Sequence, residues 1–143
     1  MKLIAKFLSV SVLTLVLLAG LSGCLATQKA GLTDQQVAGV TGNLLKAIND
    51  NNYQAFTHDL SPQMKAAFTQ EKFSQLHSML YNASGAFISM GEPGISNSQG
   101  YAVYRFPSKY AKETVTVTVT FVIGGKEVEG LFFDSAALRK ASQ

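Results

Sequence analysis

The chain has 143 residues, a formal net charge of +3 and a hydrophobic fraction of 47%. Two of its 12 basic residues, Lys2 and Lys6, belong to a leader described below, so ten basic and nine acidic side chains remain. This near-neutral balance, without a basic cluster, argues against nucleic acid as a partner. The single cysteine excludes an internal disulfide, so the hydrophobic core has to hold the fold.

The first 23 residues are typical of a lipoprotein signal peptide. Two lysines and an apolar run over residues 7–20 lead into Leu-Ser-Gly-Cys at 21–24, which is a lipobox. We expect cleavage between Gly23 and Cys24 and transfer of a diacylglyceryl group to the Cys24 thiol, often with a further acyl chain such as palmitate. Two or more chains are enough for stable attachment, so Cys24 predicts a lipid anchor in the membrane.

Two other interpretations of the leader are less favoured. A retained single-pass anchor is disfavoured because the uncharged stretch is shorter than the roughly 18–20 residues that span a bilayer core. An ordinary secreted protein would leave Cys24 as an unexplained exported thiol. The predicted location is therefore the extracytoplasmic face of the cell membrane. If the envelope has two membranes, Leu25 rather than aspartate after the cysteine does not favour retention at the inner one, which leaves the outer membrane open as the location.

After the leader we expect a tether over 24–31, one domain over 32–136 and a short polar tail over 137–143. Thr33 and Gln36 form a capping box that opens a helix over residues 34–49. A short helix around Phe56 follows, and Ser61 opens another. Thr69 then opens a longer helix with an apolar stripe.

From residue 85 onward the hydrophobic period changes from helical to alternating, which predicts strands over 86–90, 101–106, 113–123 and 126–134. Residues 95–100 are predicted to be a loop, Pro107 to end the second strand, and Gly124-Gly125 to be a two-residue hairpin turn. Helices followed by an antiparallel meander predict an α+β fold. In it, N-terminal helices pack on a curved antiparallel sheet of about four strands.

Short motifs along this domain resemble those of a known family. They are the Asp-Asn-Asn-Tyr turn at 50–53, the Leu-Ser-Pro-Gln-Met-Lys segment at 60–65 and the Gly-Ala-Phe strand opening at 85–87. They resemble domain-of-unknown-function family 3887 over roughly residues 37–133. That family looks like a member of the cone-shaped α+β superfamily typified by nuclear transport factor 2 and ketosteroid isomerase. The resemblance implies a sheet that can enclose an apolar pocket, and it transfers no catalytic residue.

The candidate site is the pocket of such a cone, with His77, Tyr81, Tyr101 and Tyr104 as its predicted lining. His77 borders the apolar stripe of its helix. It is either a general base in the pocket or, as we favour, a half-buried histidine that a backbone carbonyl or a tyrosine satisfies.

Other candidate chemistry is weaker. His58 and Asp59 are neighbours, but adjacent helical side chains do not face each other, so a capping or surface role is favoured. The histidine spacings of metal sites are missing, and we expect neither a metal nor a cofactor. A row of threonines at 114, 116, 118 and 120 is either a hydroxyl-rich ligand surface or, more commonly, the solvated face of a strand.

Two functions from different classes follow. The favoured hypothesis is a non-enzymatic, membrane-anchored lipoprotein whose domain binds a small apolar ligand or an envelope protein. The alternative is a small isomerase- or hydrolase-like enzyme that uses His77 or a pocket carboxylate as base. An interior filled by aromatic side chains, with His77 outside it, would argue against the enzyme.

Overall fold

A computed structural model describes residues 26–142. Its helices are α1 (Asp34–Asn49), α2 (Tyr53–Thr57), α3 (Pro62–Ala67), α4 (Gln70–Ser84) and α5 (Ala136–Ala141). Its strands are β1 (Phe87–Met90), β2 (Gly94–Ser98), β3 (Tyr101–Tyr110), β4 (Thr114–Val122) and β5 (Val128–Asp134).

All the strands belong to one antiparallel sheet. The order across the sheet is β1-β3-β4-β5, and β2 pairs with the part of β3 that β1 leaves open. Four helices precede the strands and α5 follows them. The predicted α+β class is confirmed, with five strands where the sequence predicts about four.

Capping residues decide where the helices begin. Thr33 Oγ1 accepts a hydrogen bond from the Gln36 N–H at 3.2 Å, and the Gln36 side chain accepts one from the Thr33 N–H at 2.9 Å. Ser61 and Thr69 cap α3 and α4 with their hydroxyl groups. Each cap satisfies a backbone donor that the first turn would leave without a partner. These three predicted helix starts are confirmed.

The helices cover one face of the sheet. The apolar residues of β4, Val115, Val117, Val119 and Phe121, are fully buried, while the threonines between them lie on the opposite face. This alternation follows from the side-chain period of two along a strand. The strand sequence therefore decides which face the helices cover.

The β1/β2 edge of the sheet departs from the prediction. Residues 95–100 were expected to be a loop, but β2 pairs with β3 from Gly94 opposite Arg105 to Ser98 opposite Tyr101. β1 and β2 run in the same direction along β3 and are separated by residues 91–93.

That break also explains why β3 continues past Pro107, where the sequence predicts its end. The Pro107 carbonyl accepts from the Gly91 N–H at 2.8 Å, so the backbone of Pro107 faces the break. A proline lacks an N–H donor and is tolerated where the neighbouring strand is interrupted. The prediction of a strand end at this proline is therefore wrong.

The connection from β4 to β5 is longer than predicted. The Gly125 N–H donates to the Val122 carbonyl at 2.8 Å, so Ile123 and Gly124 are the central residues of the turn. Gly124 has φ +75°, a conformation that favours glycine. The prediction of a two-residue turn at Gly124-Gly125 is wrong because β5 begins only at Val128.

Both ends of the described chain are more ordered than expected. Ser135 caps α5, so the polar tail expected over 137–143 begins as a helix, and Leu138 in it is buried. Part of the expected tether packs against the sheet, and Ala30 is buried.

The leader, the Gly23–Cys24 cleavage site and the lipidation of Cys24 lie outside the described residues. Among residues 26–142, none of the helices combines the length and the apolar character that crossing a bilayer requires.

Candidate functional site

Side chains from both layers fill the space between the helices and the sheet. The rings of Phe56, Phe73, Tyr104, Phe106 and Phe121 are at most 1% exposed. The Phe56 and Phe73 ring centroids are 4.8 Å apart and those of Tyr104 and Phe121 are 5.8 Å apart, distances typical of favourable aromatic pairs. Aromatic side chains thus occupy the region where the resemblance implies an apolar pocket.

His77 lies on α4 beside a small depression at the border of the core, where the buried Leu45 and Leu80 are among the lining residues. Its Nδ1 is 2.6 Å from the Ile48 carbonyl oxygen, and its ring stacks on Tyr81 with centroids 6.0 Å apart. Because a carbonyl can only accept, Nδ1 carries the proton and donates. The depression holds about 10 Å³ and no carboxylate lines it. Tyr110 also lines it, and burial raises the pKa of Tyr110 to about 12.

The structure does not bring the four predicted pocket residues together. Tyr81 is exposed beside His77. Tyr104 is fully buried, and its hydroxyl oxygen accepts from the Ala30 N–H at 3.2 Å. Tyr101 begins β3, about 30 Å along the strand from Tyr110 beside His77. The expectation of a shared pocket is corrected because Tyr104 belongs to the core and the length of β3 separates Tyr101 from His77 and Tyr81.

His58 and Asp59 do meet, contrary to the expectation that they point apart. α2 ends at Thr57, so the two side chains are not both held in helical geometry, and His58 Nδ1 lies 2.8 Å from Asp59 Oδ1. They line an open polar groove of about 490 Å³ together with residues of α1 that include Lys46 and Asp50. The His58 side chain is 80% exposed, so water competes for this contact and its contribution to stability is small.

An apolar groove of about 510 Å³ runs beside β5, and we call it the β5 groove. Met79 and Phe132 on its rim are 40% and 63% exposed. Its two charged residues, Asp134 and Arg139, pair with each other at 2.6 and 2.7 Å. The complete lining is Phe68, Leu76, Met79, Leu131, Phe132, Phe133, Asp134, Leu138, Arg139 and Ser142.

β5 also ends the sheet. At its start, Val128 forms a short parallel bridge with Leu60, and the Ser61 N–H donates to the Val128 carbonyl at 3.0 Å. Within residues 26–142, no strand pairs with the outer edge of β5 beyond Val128. An edge of this kind presents backbone donors and acceptors that an additional strand can use.

The predicted threonine row lies on the sheet face away from the helices. Thr114 is exposed, and the three threonines at 116, 118 and 120 are half-buried. Across this face, Thr118 lies between Arg105 of β3 and Phe132 of β5, and Arg105 donates to Ser96 Oγ at 2.7 Å. The row is part of a mixed surface of hydroxyl groups, one guanidinium and an exposed ring.

Glu113 lies directly before β4, at the end of the sheet where β3 ends. It connects the start of β4 with the end of α4 and the start of α5. Its carboxylate accepts hydrogen bonds from the Ser84 hydroxyl at 2.6 Å, the Ser135 hydroxyl at 2.7 Å and the Ala137 N–H at 3.4 Å. Burial alone would raise the pKa of Glu113, but these three bonds and the charge of Arg139 lower it below its ordinary value. The arrangement holds α5 against α4 and favours the ionised form of the carboxylate.

No group of three side chains suited to metal binding exists among the residues that the structure describes. The candidate site residues that sequence reasoning missed are those of the β5 groove. A signal for Phe132 was present, because three consecutive apolar residues at 131–133 require one to point away from the core. Met79 carried no such signal, since its exposure depends on where α5 packs.

Comparison with known proteins yields a family match. A family model described as "Protein of unknown function (DUF3887)" matches residues 42–131, from within α1 into β5. Neither the curated proteins nor the solved structures contain a significant match to this chain. The matched range holds α4 and the start of β5 but not α5, which forms one wall of the β5 groove.

Proposed function

Because the chain belongs to the DUF3887 family of proteins of unknown function, we propose a function from its own surface. It is a lipid-anchored binding module of the cell envelope, without enzymatic activity. The β5 groove holds an extended apolar segment of another envelope protein.

The observation that carries this proposal is the coincidence of an apolar groove with an open strand edge. A groove alone offers burial, and an edge alone offers backbone hydrogen bonds. The β5 groove offers both, with Leu131 and Phe133 lining it on the strand that provides the edge. Adding a strand to a sheet edge is a common mode of peptide recognition, in which backbone bonds give affinity and side-chain pockets give specificity.

The charges of the groove indicate the chemistry of the occupant. Asp134 and Arg139 neutralise each other at one end, and the other lining residues are uncharged. A segment with strong charge of either sign would lose hydration without gaining a partner. The occupant is therefore a segment with apolar side chains at alternate positions.

The enzyme alternative lacks a comparable observation. The Nδ1–H of His77 donates to the Ile48 carbonyl, which leaves Nε2 as the acceptor. However, the depression beside His77 has room for about one water molecule and no carboxylate lines it. Glu113 holds its three donors as an ionised carboxylate, so it is not poised to take up a proton near neutral pH.

The anchor is tested by metabolic labelling with an alkynyl fatty acid in producing cells. The full chain is expected to carry the label and to sediment with membranes, whereas Cys24→Ser loses both. A full chain that carries no label, or a Cys24→Ser variant that keeps it, would contradict the anchor.

The groove is tested by photocrosslinking in native membranes with p-benzoylphenylalanine at position 79. The matched control is position 88, because Ile88 is 56% exposed but lies on β1, on the opposite edge of the sheet. We expect an adduct at position 79 that maps to an extended segment with alternating apolar residues in another protein, and its loss in Phe132→Asp. An adduct with a second copy of this chain, or equal adducts at both positions, overturns the proposal.

A further inference from the structure

Residues 28–31 are hydrogen-bonded to one end of the sheet. That end is formed by the β2–β3 turn at 99–100, the β4–β5 loop at 123–127 and the strand residues next to them. The Gln28 N–H donates to Asn97 Oδ1 at 2.8 Å, and Asn97 Nδ2 donates back to the Gln28 carbonyl at 2.5 Å. The Gly124 N–H donates to the Lys29 carbonyl at 3.1 Å. We call this end of the sheet the docked end.

Two further contacts make residues 28–31 part of the fold. The Gly31 N–H donates to the Gly125 carbonyl at 2.7 Å, and a Cβ on Gly31 would lie 2.2 Å from the Gly124 carbonyl oxygen. The neighbouring Ala30 N–H donates to the buried Tyr104 hydroxyl. A side chain at position 31 therefore cannot be accommodated without moving the loop.

The chain between Cys24 and Gln28, the first residue bonded to the docked end, is short. Three residues lie between Cys24 and Gln28, so even in a fully extended chain their Cα atoms are at most about 14 Å apart. The sheet is longer than that, since the ten residues of β3 extend over about 30 Å. A lipid on Cys24 therefore places the docked end, and not the opposite end, next to the bilayer.

From this geometry we infer that the docked end of the sheet rests on the lipid headgroups of the membrane that holds Cys24. The inference depends on the proposed lipid anchor and adds to it a fixed orientation of the domain. We call residues 28–31, with their hydrogen bonds to the docked end, the mount, because they fix the domain relative to the lipid anchor. The partner of the docked end is the lipid surface.

The side chains of the docked end suit a lipid interface. Tyr101 and Val122 face each other across β3 and β4 and are 40% and 44% exposed. Tyrosine places an apolar ring and a polar hydroxyl at the headgroup level. Lys126 is exposed nearby and its long stem can reach lipid phosphates, although exposed Glu127 offsets its charge. The contact therefore relies on Tyr101 and Val122 more than on charge.

The orientation also leaves the β5 groove accessible. Phe132 pairs with Thr118, four residues along β4 from Val122. That spacing puts Phe132 about 13 Å farther from the membrane than the docked end. A bound segment can approach from the aqueous side of the envelope without meeting lipid.

The test is photocrosslinking of the full chain in producing cells, with p-benzoylphenylalanine at position 101 or at position 88. Ile88 is the matched control because it is exposed and lies near the opposite end of β3. We expect adducts with the mass of a phospholipid at position 101 and none above background at position 88. Equal yields at the two positions overturn the inference.

Two variants are designed to detach residues 28–31 from the docked end while Cys24 and its lipid stay in place. Asn97→Ala deletes the reciprocal bonds to Gln28, and Gly31→Val forces the loop away. In each, the lipid adduct at position 101 is expected to fall toward the position 88 level while the fatty-acid label on Cys24 persists. Protease resistance of the domain serves as the folding control, and Asn97→Ala remains informative if Gly31→Val fails to fold.

The outcomes separate the two proposals. Membrane-bound, labelled protein with an unchanged position 101 adduct in folded Asn97→Ala overturns the mount and leaves the anchor standing. Loss of the label and of membrane sedimentation from the unmodified chain overturns both.

Discussion

Glu113 shows how a single carboxylate can organise one end of the molecule. Its three donors come from the last turn of α4 and from the start of α5, segments that are remote in sequence. A carboxylate that accepts several hydrogen bonds favours its ionised form. The consequence is a contribution to stability that depends on pH.

We predict that Glu113→Gln lowers the free energy of unfolding by about 1–2 kcal/mol at pH 7, because an amide group cannot accept all three bonds. The folded-state pKa of Glu113 is lower than the ordinary value of 4.5. Its contribution is therefore present above pH 4.5 and is lost as pH falls through the folded-state pKa. Urea denaturation of both proteins at pH 7 and pH 3 should show the gap narrowing in acid.

Glu92→Gln is the matched control, because Glu92 is exposed in the break between β1 and β2. It should leave the unfolding free energy nearly unchanged at both pH values. A gap for Glu113→Gln that stays constant from pH 7 to pH 3 would show that ionisation of Glu113 is not involved.

At the scale of single residues, sequence reasoning succeeded where the cause is local. Thr33 and Gln36 are three residues apart, and their reciprocal bonds follow from that spacing. The placement of Tyr104 was not predictable, since its hydroxyl partner is the backbone of Ala30, 74 residues away. The contact between His58 and Asp59 was missed because it depends on where α2 ends.

At the scale of secondary structure, the wrong strand predictions lie at the β1/β2 edge, where the conformation of one segment depends on its neighbour in the sheet. Pro107 is compatible with a strand because residues 91–93 interrupt the neighbour that it would otherwise fail to pair with. β2 itself is short and polar, and its pairing with β3 rather than its sequence makes it a strand. By contrast, the alternation of β4 was sufficient by itself.

We predict that Leu138→Ala lowers the free energy of unfolding by about 2–3 kcal/mol, because Leu138 is 5% exposed and packs α5 into the core. Lys140→Ala, on the exposed side of α5, is the matched control and should change it by less than about 0.5 kcal/mol. Denaturant unfolding of both variants measures the difference. Equal effects would mean that α5 contributes little to the domain.

At the scale of the whole molecule, the packing of helices on one face of the sheet could be predicted from the hydrophobic pattern of the sequence. The grooves on the surface could not. β4 and α4 each have one apolar face that has to be buried against another element. Helices packed on one face of the sheet were therefore predictable. The β5 groove arises where α4, α5 and β5 meet, and α5 was expected to be a polar tail. The enclosed pocket was an inference from fold resemblance, and the aromatic residues that fill its place could have packed in many ways.

We predict opposite behaviour for two phenylalanines on the neighbouring strands β4 and β5, which lie on opposite faces of the sheet. Phe121→Ala should lower the free energy of unfolding by about 3–5 kcal/mol, since its ring is fully buried against Tyr104. Phe132→Ala should change it by less than about 1 kcal/mol, because that ring is 63% exposed. Thermal and urea unfolding test both. A large loss for Phe132→Ala would make that ring part of the fold and weaken its assignment to binding.

The interruption at residues 91–93 has a consequence for assembly. Pro93 and the change of path between β1 and β2 deprive that edge of a continuous row of backbone donors. β5 is one continuous strand, although its pairing with β4 shifts register between Thr120 and Phe121. A sheet with one interrupted edge favours strand addition at its other edge. If the β5 groove takes up the segment proposed above, the sheet is extended at β5 while the β1/β2 edge stays without an added strand.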